Sequence, residues 1–480
     1  VRDASISVRS GTVTTAASVT PQGILGIRRV TVMGGATMSI FTRLRDRAQT
    51  AIPPEEAAAT AAVPDEASLA GEAAGAGQAS ALGALSVPDF RALWLGSLVS
   101  NVGTWMQQIG SGWLVLQLTN SPFWLGLVSF AAALPILMFS LPAGVLADRV
   151  DRRRLLLASQ VLSCSLASLL AILTATGAIR IGYILGITFL SGTVMAFHMP
   201  TWQAMIPDLV GKDRLMNAVG LNSAAFNGAA VVGPALAGVI LGAFGPAACF
   251  GLNACTYFAV IAALVVIRTP SIGRSEGVIN LVEGVGTGLR FIARRRLVLA
   301  FFALAAIVSL AARPYLQLLP VIARDVLGGD ERFYGVLMAA NGVGALGGAL
   351  LTAGFARVPR KGLVLLASVV TFALGLIAFA LIPRPAVSLA LLVLIGGATT
   401  LFMSATNTVI QGLAPDDVRG RVLSVWSMIA AGVMPLGSLL LGGIASVTGR
   451  ADWVLAGGAG IALVAAAVIG VVARDPRRTA

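Results

Sequence analysis

Gly144-Val-Leu-Ala-Asp148-Arg149-Val-Asp151-Arg152-Arg153-Arg154 separates two long apolar runs, and its charges decide how both runs are read. A glycine near the end of an apolar helix lets a neighbouring helix approach closely. An aspartate beside it can accept from the free amides that begin the next helix. The arginines that follow suit the anionic face of a bilayer. A degenerate copy, Gly354-Phe-Ala-Arg357-Val-Pro-Arg360-Lys361, stands 210 residues downstream between two further apolar runs.

Composition sets the broad class. With 57% hydrophobic and 11% charged residues and a mean hydropathy of +0.87, the chain cannot cover a water-soluble surface. Apolar stretches of about twenty residues, the length that crosses a bilayer as a helix, recur from Phe90 onward. Twelve spans are expected, at 94–118, 122–146, 155–176, 181–205, 216–242, 246–267, 297–322, 334–356, 362–382, 386–411, 422–446 and 453–473. An even number returns the chain to the side on which it started.

Arginine and lysine tell the sides apart. The connections after the second, fourth, sixth, eighth and tenth spans carry Arg149, Arg152, Arg153, Arg154, Lys212, Arg214, Arg268, Arg274, Arg290, Arg294, Arg295, Arg296, Arg357, Arg360, Lys361, Arg419 and Arg421. The opposite connections carry only Arg180, Arg324, Arg332, Arg384 and Arg450. The positive-inside rule then places both termini in the cytoplasm. The net charge of +13 is explained by this asymmetry, so no nucleic-acid partner is implied.

The second half repeats the first. Gln203-Ala-Met-Ile-Pro207-Asp208 returns 208 residues later as Gln411-Gly-Leu-Ala-Pro415-Asp416, and Leu157-Ala158-Ser159 returns 209 residues later as Leu366-Ala367-Ser368. Two matches at nearly one offset, with the displaced arginine stretch, imply parallel six-span halves related by an axis along the membrane normal. The expected divisions are a disordered cytoplasmic extension at 1–86, an amino-terminal bundle at 87–270, a connector at 271–296 and a carboxy-terminal bundle with a short tail at 297–480. The extension is rich in Ala, Gly, Pro and Glu and offers little packable surface. The connector places Ile279, Leu281, Val282, Val285, Leu289, Phe291 and Ile292 ahead of basic residues, the pattern of an amphipathic helix at the inner membrane face.

Enzyme chemistry is poorly supplied. One histidine and three cysteines, all three in apolar surroundings, provide neither a hydrolytic constellation nor metal-ligand spacing, and no cofactor is expected.

The stretch from Gly144 to Arg153 resembles motif A of the major facilitator superfamily. In that family the motif joins the second and third of twelve helices and latches the two halves on the cytoplasmic side. The resemblance implies a conformational latch at Gly144, Asp148, Arg149, Arg152 and Arg153. Phe90-Arg-Ala-Leu-Trp94-Leu-Gly96-Ser-Leu-Val-Ser100-Asn-Val-Gly103-Thr-Trp105 resembles the opening of the bacterial efflux branch that includes the enterobactin exporter and macrolide efflux proteins. Gly228, Gly233, Pro234 and Gly238 resemble the antiporter motif of exporters, with Ala229 and Ala237 where that motif carries glycine.

Polar residues sharing helical faces mark a candidate cavity in the spans that resemble the cavity-lining first, fourth, seventh and tenth. These are Asn101, Trp105 and Gln108, then His198 and Trp202, then Arg313 and Gln317, then Asn407 and Gln411. Arg313 sits deep in its span, where exposure to lipid is costly, so it is expected to face water or substrate.

The resemblance implies an all-α membrane protein of the major facilitator fold, twelve helices in two pseudo-symmetric bundles. It implies a monomer in the bacterial inner membrane that exports a small, moderately hydrophobic drug or siderophore by alternating access, coupled to protons. No acidic residue after Asp89 lies in the middle of a span, so the sequence does not display a coupling carboxylate. A lipid or lysolipid flipping carrier and a non-transporting sensor or scaffold are the alternatives.

Overall fold

A computed structural model describes residues 83–267, 281–355, 361–415 and 418–474, and helix dominates all of them. The amino-terminal half comprises α1 (Pro88–Thr119), α2 (Pro122–Arg149), α3 (Arg152–Ala175), α4 (Ile181–Val210) and a helical run, Leu215–Val266, that holds α5 and α6. Gly245 divides that run: its φ of 76° and ψ of 178° suit glycine, and Pro246 starts the next helix with its ring already fixed for that role. We take α5 as 215–244 and α6 as 246–266.

The carboxy-terminal half comprises α7 (Arg296–Val326), α8 (Glu331–Phe355), α9 (Lys361–Leu381), α10 (Pro385–Leu413), α11 and α12 (Ala451–Arg474). α11 runs as Arg419–Met428, a wider π turn at Ile429–Val433, and Met434–Thr448. Among the described residues nine helices are long and apolar enough to cross a membrane, the run holding α5 and α6 being one of them. Dividing it, and adding α1 and the interrupted α11, gives twelve. α1 falls short in apolarity because Asn101, Gln107 and Gln108 dilute it, which makes it the polar-striped helix of the set.

Small residues set the packing. α1 lies against α6 along a stripe spaced by seven: Gly96 meets the backbone of Ala259, Gly103 meets Asn253 and Thr256, and Gly110 meets Cys249 and Phe250. Helices in lipid gain little from burying apolar surface, so close approach at such glycines is what holds them. The halves repeat one another here too. Gly192 on α4 abuts Ala132 on α2, and Gly396 on α10 abuts Asn341 on α8. Outward-facing Ile172, Phe258, Leu350 and Val468 are exposed, an apolar rim suited to lipid.

Residues 83–86, expected within the disordered extension, are ordered. Gly83–Ser86 forms a 3₁₀ turn whose Ala84 is fully buried against Phe90 and Leu93, and the Ala84 amide donates to Asn217 Oδ1 at 2.7 Å. A satisfied backbone amide and a buried methyl fix this segment despite its weak composition. The remainder of the extension, 1–82, lies outside the described residues, as do 268–280, 356–360 with Arg357 and Arg360, 416–417 and the tail at 475–480. In the connector a helix runs Leu281–Arg294 and packs on the starts of α11 and α7, with Ile292 buried in their core. Arg295 lies over the Phe291 ring, 5.0 Å from its centre.

Candidate functional site

The two halves meet along two seams at the arginine-poor end. On one, Gly126 of α2 abuts the Ser438 backbone of α11, Gly442 abuts Pro122, and the Ser121 and Ser446 hydroxyls pair at 3.0 Å. On the other, Gly238 of α5 and Gly335 of α8 press backbone on backbone. Arg332 donates to the Gly242 carbonyl at 3.3 Å. Arg324 adds a polar link, donating to Asn120 Oδ1 at 2.8 Å.

The arginine-rich end is different. Among the described residues, a methyl group placed on Gly144 or Gly228 would meet nothing within 4 Å, so neither glycine packs closely on them in this state. Polar Gln203, Ser223 and Gln411 stand exposed on α4, α5 and α10. The antiporter-like segment crosses from one regime to the other: Gly228 is open, Gly233 packs on Val102 and Trp105 of α1, and Pro234 and Gly238 are buried against α8.

The arginine stretch itself ties together one half. Asp151 caps α3 by accepting from the amides of Arg153 at 2.9 Å and Arg154 at 3.2 Å. The amide-accepting role anticipated at Asp148 thus falls to Asp151, which directly precedes the helix. The Asp148 side chain lies outside the described set. Arg152 donates to Asp208 Oδ2 at 2.7 Å and to the Ala204 carbonyl at 3.1 Å, fastening α3 to α4. Arg153 reaches the Leu264 carbonyl at 2.6 Å and the Val265 carbonyl at 2.8 Å, neutralising the free end of α6. Arg149 ends α2, exposed.

A cavity of about 750 Å³ lies within the amino-terminal half toward this open end. Asn101 on α1, Gln160 on α3, His198 and Trp202 on α4, Asn222 on α5 and Val260 on α6 all line it. His198 stacks on Trp202, ring centres 5.9 Å apart at 25°, and its Nδ1 lies 3.1 Å from Ser159 Oγ. Ser159 has a single hydroxyl proton and gives it to the Leu156 carbonyl at 2.7 Å. Through this contact Ser159 joins α3 to the imidazole on α4.

The other expected residues divide. Trp105 packs on Phe226, ring centres 6.0 Å apart, beside the cavity, and Gln108 is exposed further along α1. Asn407 accepts from Gln411 at 3.3 Å, so these two pair with each other. Gln317 buries an Oε1 that has no hydrogen-bond partner among the described residues. Arg313, expected to face water or substrate, donates to the Ala430 carbonyl at 3.1 Å. The structure thus gathers Asn101, His198 and Trp202 into one pocket and leaves the α7 and α10 candidates outside it. Gln160 and Asn222 were not anticipated because the third and fifth spans were not expected to line a cavity. An amide within Leu-Leu-Leu-Ala-Ser-Gln160-Val-Leu was nevertheless a signal.

Known proteins with the same architecture locate the chain. It is 30% identical over 353 residues to the staphyloferrin A transporter of Staphylococcus aureus, covering 72% of this chain and 87% of that protein. It is 22% identical to macrolide efflux protein A of Streptococcus pyogenes, covering 77% and 92%. The enterobactin exporter EntS of Salmonella typhi is 25% identical, with coverage of 75% and 86%. Among solved structures, a bacterial homologue of the lysosomal transporter Spinster, in an inward-facing and unoccupied conformation, superposes with a TM-score of 0.59 at 17% identity, covering 80% of this chain and 94% of that one. The nucleoside transporter NupG superposes with a TM-score of 0.64 at 13% identity, covering 81% and 99%. Both show the major facilitator fold. A family model for transmembrane secretion effectors matches residues 79–480, and with it the chain belongs to that family of the major facilitator superfamily, a membrane transporter and not an enzyme.

Proposed function

We propose that the protein exports a small, moderately hydrophobic compound of the drug or siderophore class from the cytoplasm by alternating access. The observation that carries this reading is the contrast between ends: two glycine-lined seams close the arginine-poor end, while Gly144 and Gly228 stand open at the other. With the arginine-rich end in the cytoplasm, both termini are cytoplasmic and this is the cargo-loading state. Closure of the inner end would bring Gly144, Asp148 and the arginine stretch against the second half as a latch. The named relatives include a siderophore exporter and a macrolide efflux protein, and this supports a cargo among such compounds. Protons are the proposed coupling ion. A monomer is the proposed transporting unit.

Flux in proteoliposomes under an imposed pH gradient tests this directly. Expulsion of a labelled macrolide or siderophore that stops when the gradient is collapsed supports the reading. Gradient-independent movement of lysolipid would favour the flipping carrier, and no movement of any cargo would leave a scaffold.

A further inference from the structure

Four arginines gather where the connector joins α7. Arg290 and Arg294 stand one turn apart on the connector helix Leu281–Arg294, Arg295 sits at the junction, and Arg296 opens the membrane span. All four are exposed, and among the described residues no ion pair or hydrogen bond reaches their guanidinium groups. Arg295 alone has a side-chain partner, the Phe291 ring beneath it. The described acids of the carboxy-terminal half that follow, Asp325, Asp330, Glu331 and Asp452, belong to the arginine-poor end. Like charges one turn apart oppose each other, so the patch attracts a counter-anion.

Packing holds these charges at the membrane edge. Ile292 is buried against α7 and α11, and Val298 is buried just inside the span, so the arginines lie between two fixed points. Apolar margins flank them on both sides: Leu289 is 51% exposed and Leu299 is 46% exposed.

From this patch we infer that the junction binds an anionic phospholipid of the leaflet at the arginine-rich end, its phosphate on the arginines and its acyl chains along Leu289 and Leu299. Three arguments set that ligand. The planar fork of arginine matches the paired oxygens of a phosphate. A basic cluster of this size beside a membrane span draws acidic headgroups. The leucine margins favour a lipid over a soluble polyanion, which would cover the charge and leave both leucines in water. At the corresponding entry of the first span the sequence offers only Asp89 and Arg91, so the site belongs to one half. Because the connector helix already packs on α7 and α11, an occupied site braces the link between the halves on the second half. The inference is independent of what the protein carries.

Native mass spectrometry of the purified full chain, titrated with dioleoylphosphatidylglycerol and with dioleoylphosphatidylcholine, tests this. The first phosphatidylglycerol should bind at least fivefold more tightly than phosphatidylcholine. Arg295→Gln with Arg296→Gln should bring the two lipids within twofold, whereas Arg295→Lys with Arg296→Lys should retain a preference of threefold or more. Arg91→Gln should leave the preference unchanged. Should the first pair insert poorly for want of charge at the span entry, Arg290→Gln with Arg294→Gln, which keeps that charge, should lower the preference at least threefold. Equal affinity for the two lipids in the unaltered chain, or an unchanged preference in the glutamine variants, would overturn the inference. An equal loss in Arg91→Gln would mean that any basic residue at this end suffices, and would overturn the site. Displacement of phosphatidylglycerol by excess glycerol 3-phosphate would reveal a soluble-phosphate site and overturn the lipid assignment.

Discussion

Arg313 of α7 donates through Nη1 to the Ala430 carbonyl of α11, 3.1 Å away, and each partner sits where its own helix is interrupted. Pro314 lacks an amide and disfavours helix before it, so α7 opens into a turn at Arg313. Ala430 lies in the π turn of α11, where widened hydrogen bonding leaves carbonyls available to an outside donor. The cation is thus satisfied by backbone from a neighbouring helix of its own half.

This contact predicts a structural effect. Arg313→Met should cost about 1.5–3 kcal/mol of stability, the usual worth of a hydrogen bond to a charged group, and Arg313→Lys should recover part of it. Flux normalised to folded protein should fall by the same factor for anionic and neutral cargo. A loss confined to the anion would restore the recognition role that the sequence suggested.

The polar link at the closed end is weaker by nature. Arg324 is divided between Asn120 and Asp325, whose Oδ1 lies 2.6 Å away, and both acceptors are exposed. Such contacts contribute roughly 0–1 kcal/mol, so Asn120→Ala should shift the balance between open and closed ends by no more than about fivefold. Labelling rates of a cysteine placed at Ser446 would read that shift; a larger change would mean that the link, and not the glycine seams, holds the end shut.

The helices were legible because length and apolarity mark them directly: the observed elements fall within a few residues of the expected spans. Duplication was legible from two short repeats. The division at Gly245 followed from Gly-Pro chemistry. What the sequence could not rank was the use of each polar residue. Asn407 and Gln411 share one helical face yet bond to each other, and Arg313 finds a carbonyl supplied by a π turn that no periodicity announces. Close approach at Gly144 would depend on which end is closed, which no sequence pattern records.

The ordered start of the chain gives a sharp truncation boundary. Removing residues 1–80 should leave the unfolding midpoint and flux unchanged, since the contacts of the described residues begin at Ala84. Removing residues 1–87 deletes the buried Ala84 methyl, its amide bond to Asn217 and the Ser86 hydroxyl that accepts from Arg214 at 3.1 Å. That loss should cost about 1–3 kcal/mol, chiefly by leaving the Asn217 region and the Phe90 cluster uncovered. Equal midpoints for the two truncations, measured by thermal unfolding in detergent, would show that the 3₁₀ turn adds nothing.

Gly335 offers the strictest test of the closed end. Its Cα faces Gly238 with no room for a side chain, and the Pro234 carbonyl lies beside it at 2.9 Å from where a Cβ would project. The obstructing atoms are backbone on α5, which cannot rotate aside as a flexible side chain would. Gly335→Val should therefore leave each half folded, because the glycine faces the partner half, while barring the seam from closing. The expected outcome is loss of export by tenfold or more at normal abundance, with a cysteine placed at Gly242 becoming reactive from the arginine-poor side. Gly144→Val meets nothing within 4 Å in this state, so it should be tolerated here and act only on the state in which the arginine-rich end closes. The pair of variants should thus bias the protein in opposite directions. Matching accessibility profiles for the two would mean that the glycine seams do not control which end is open.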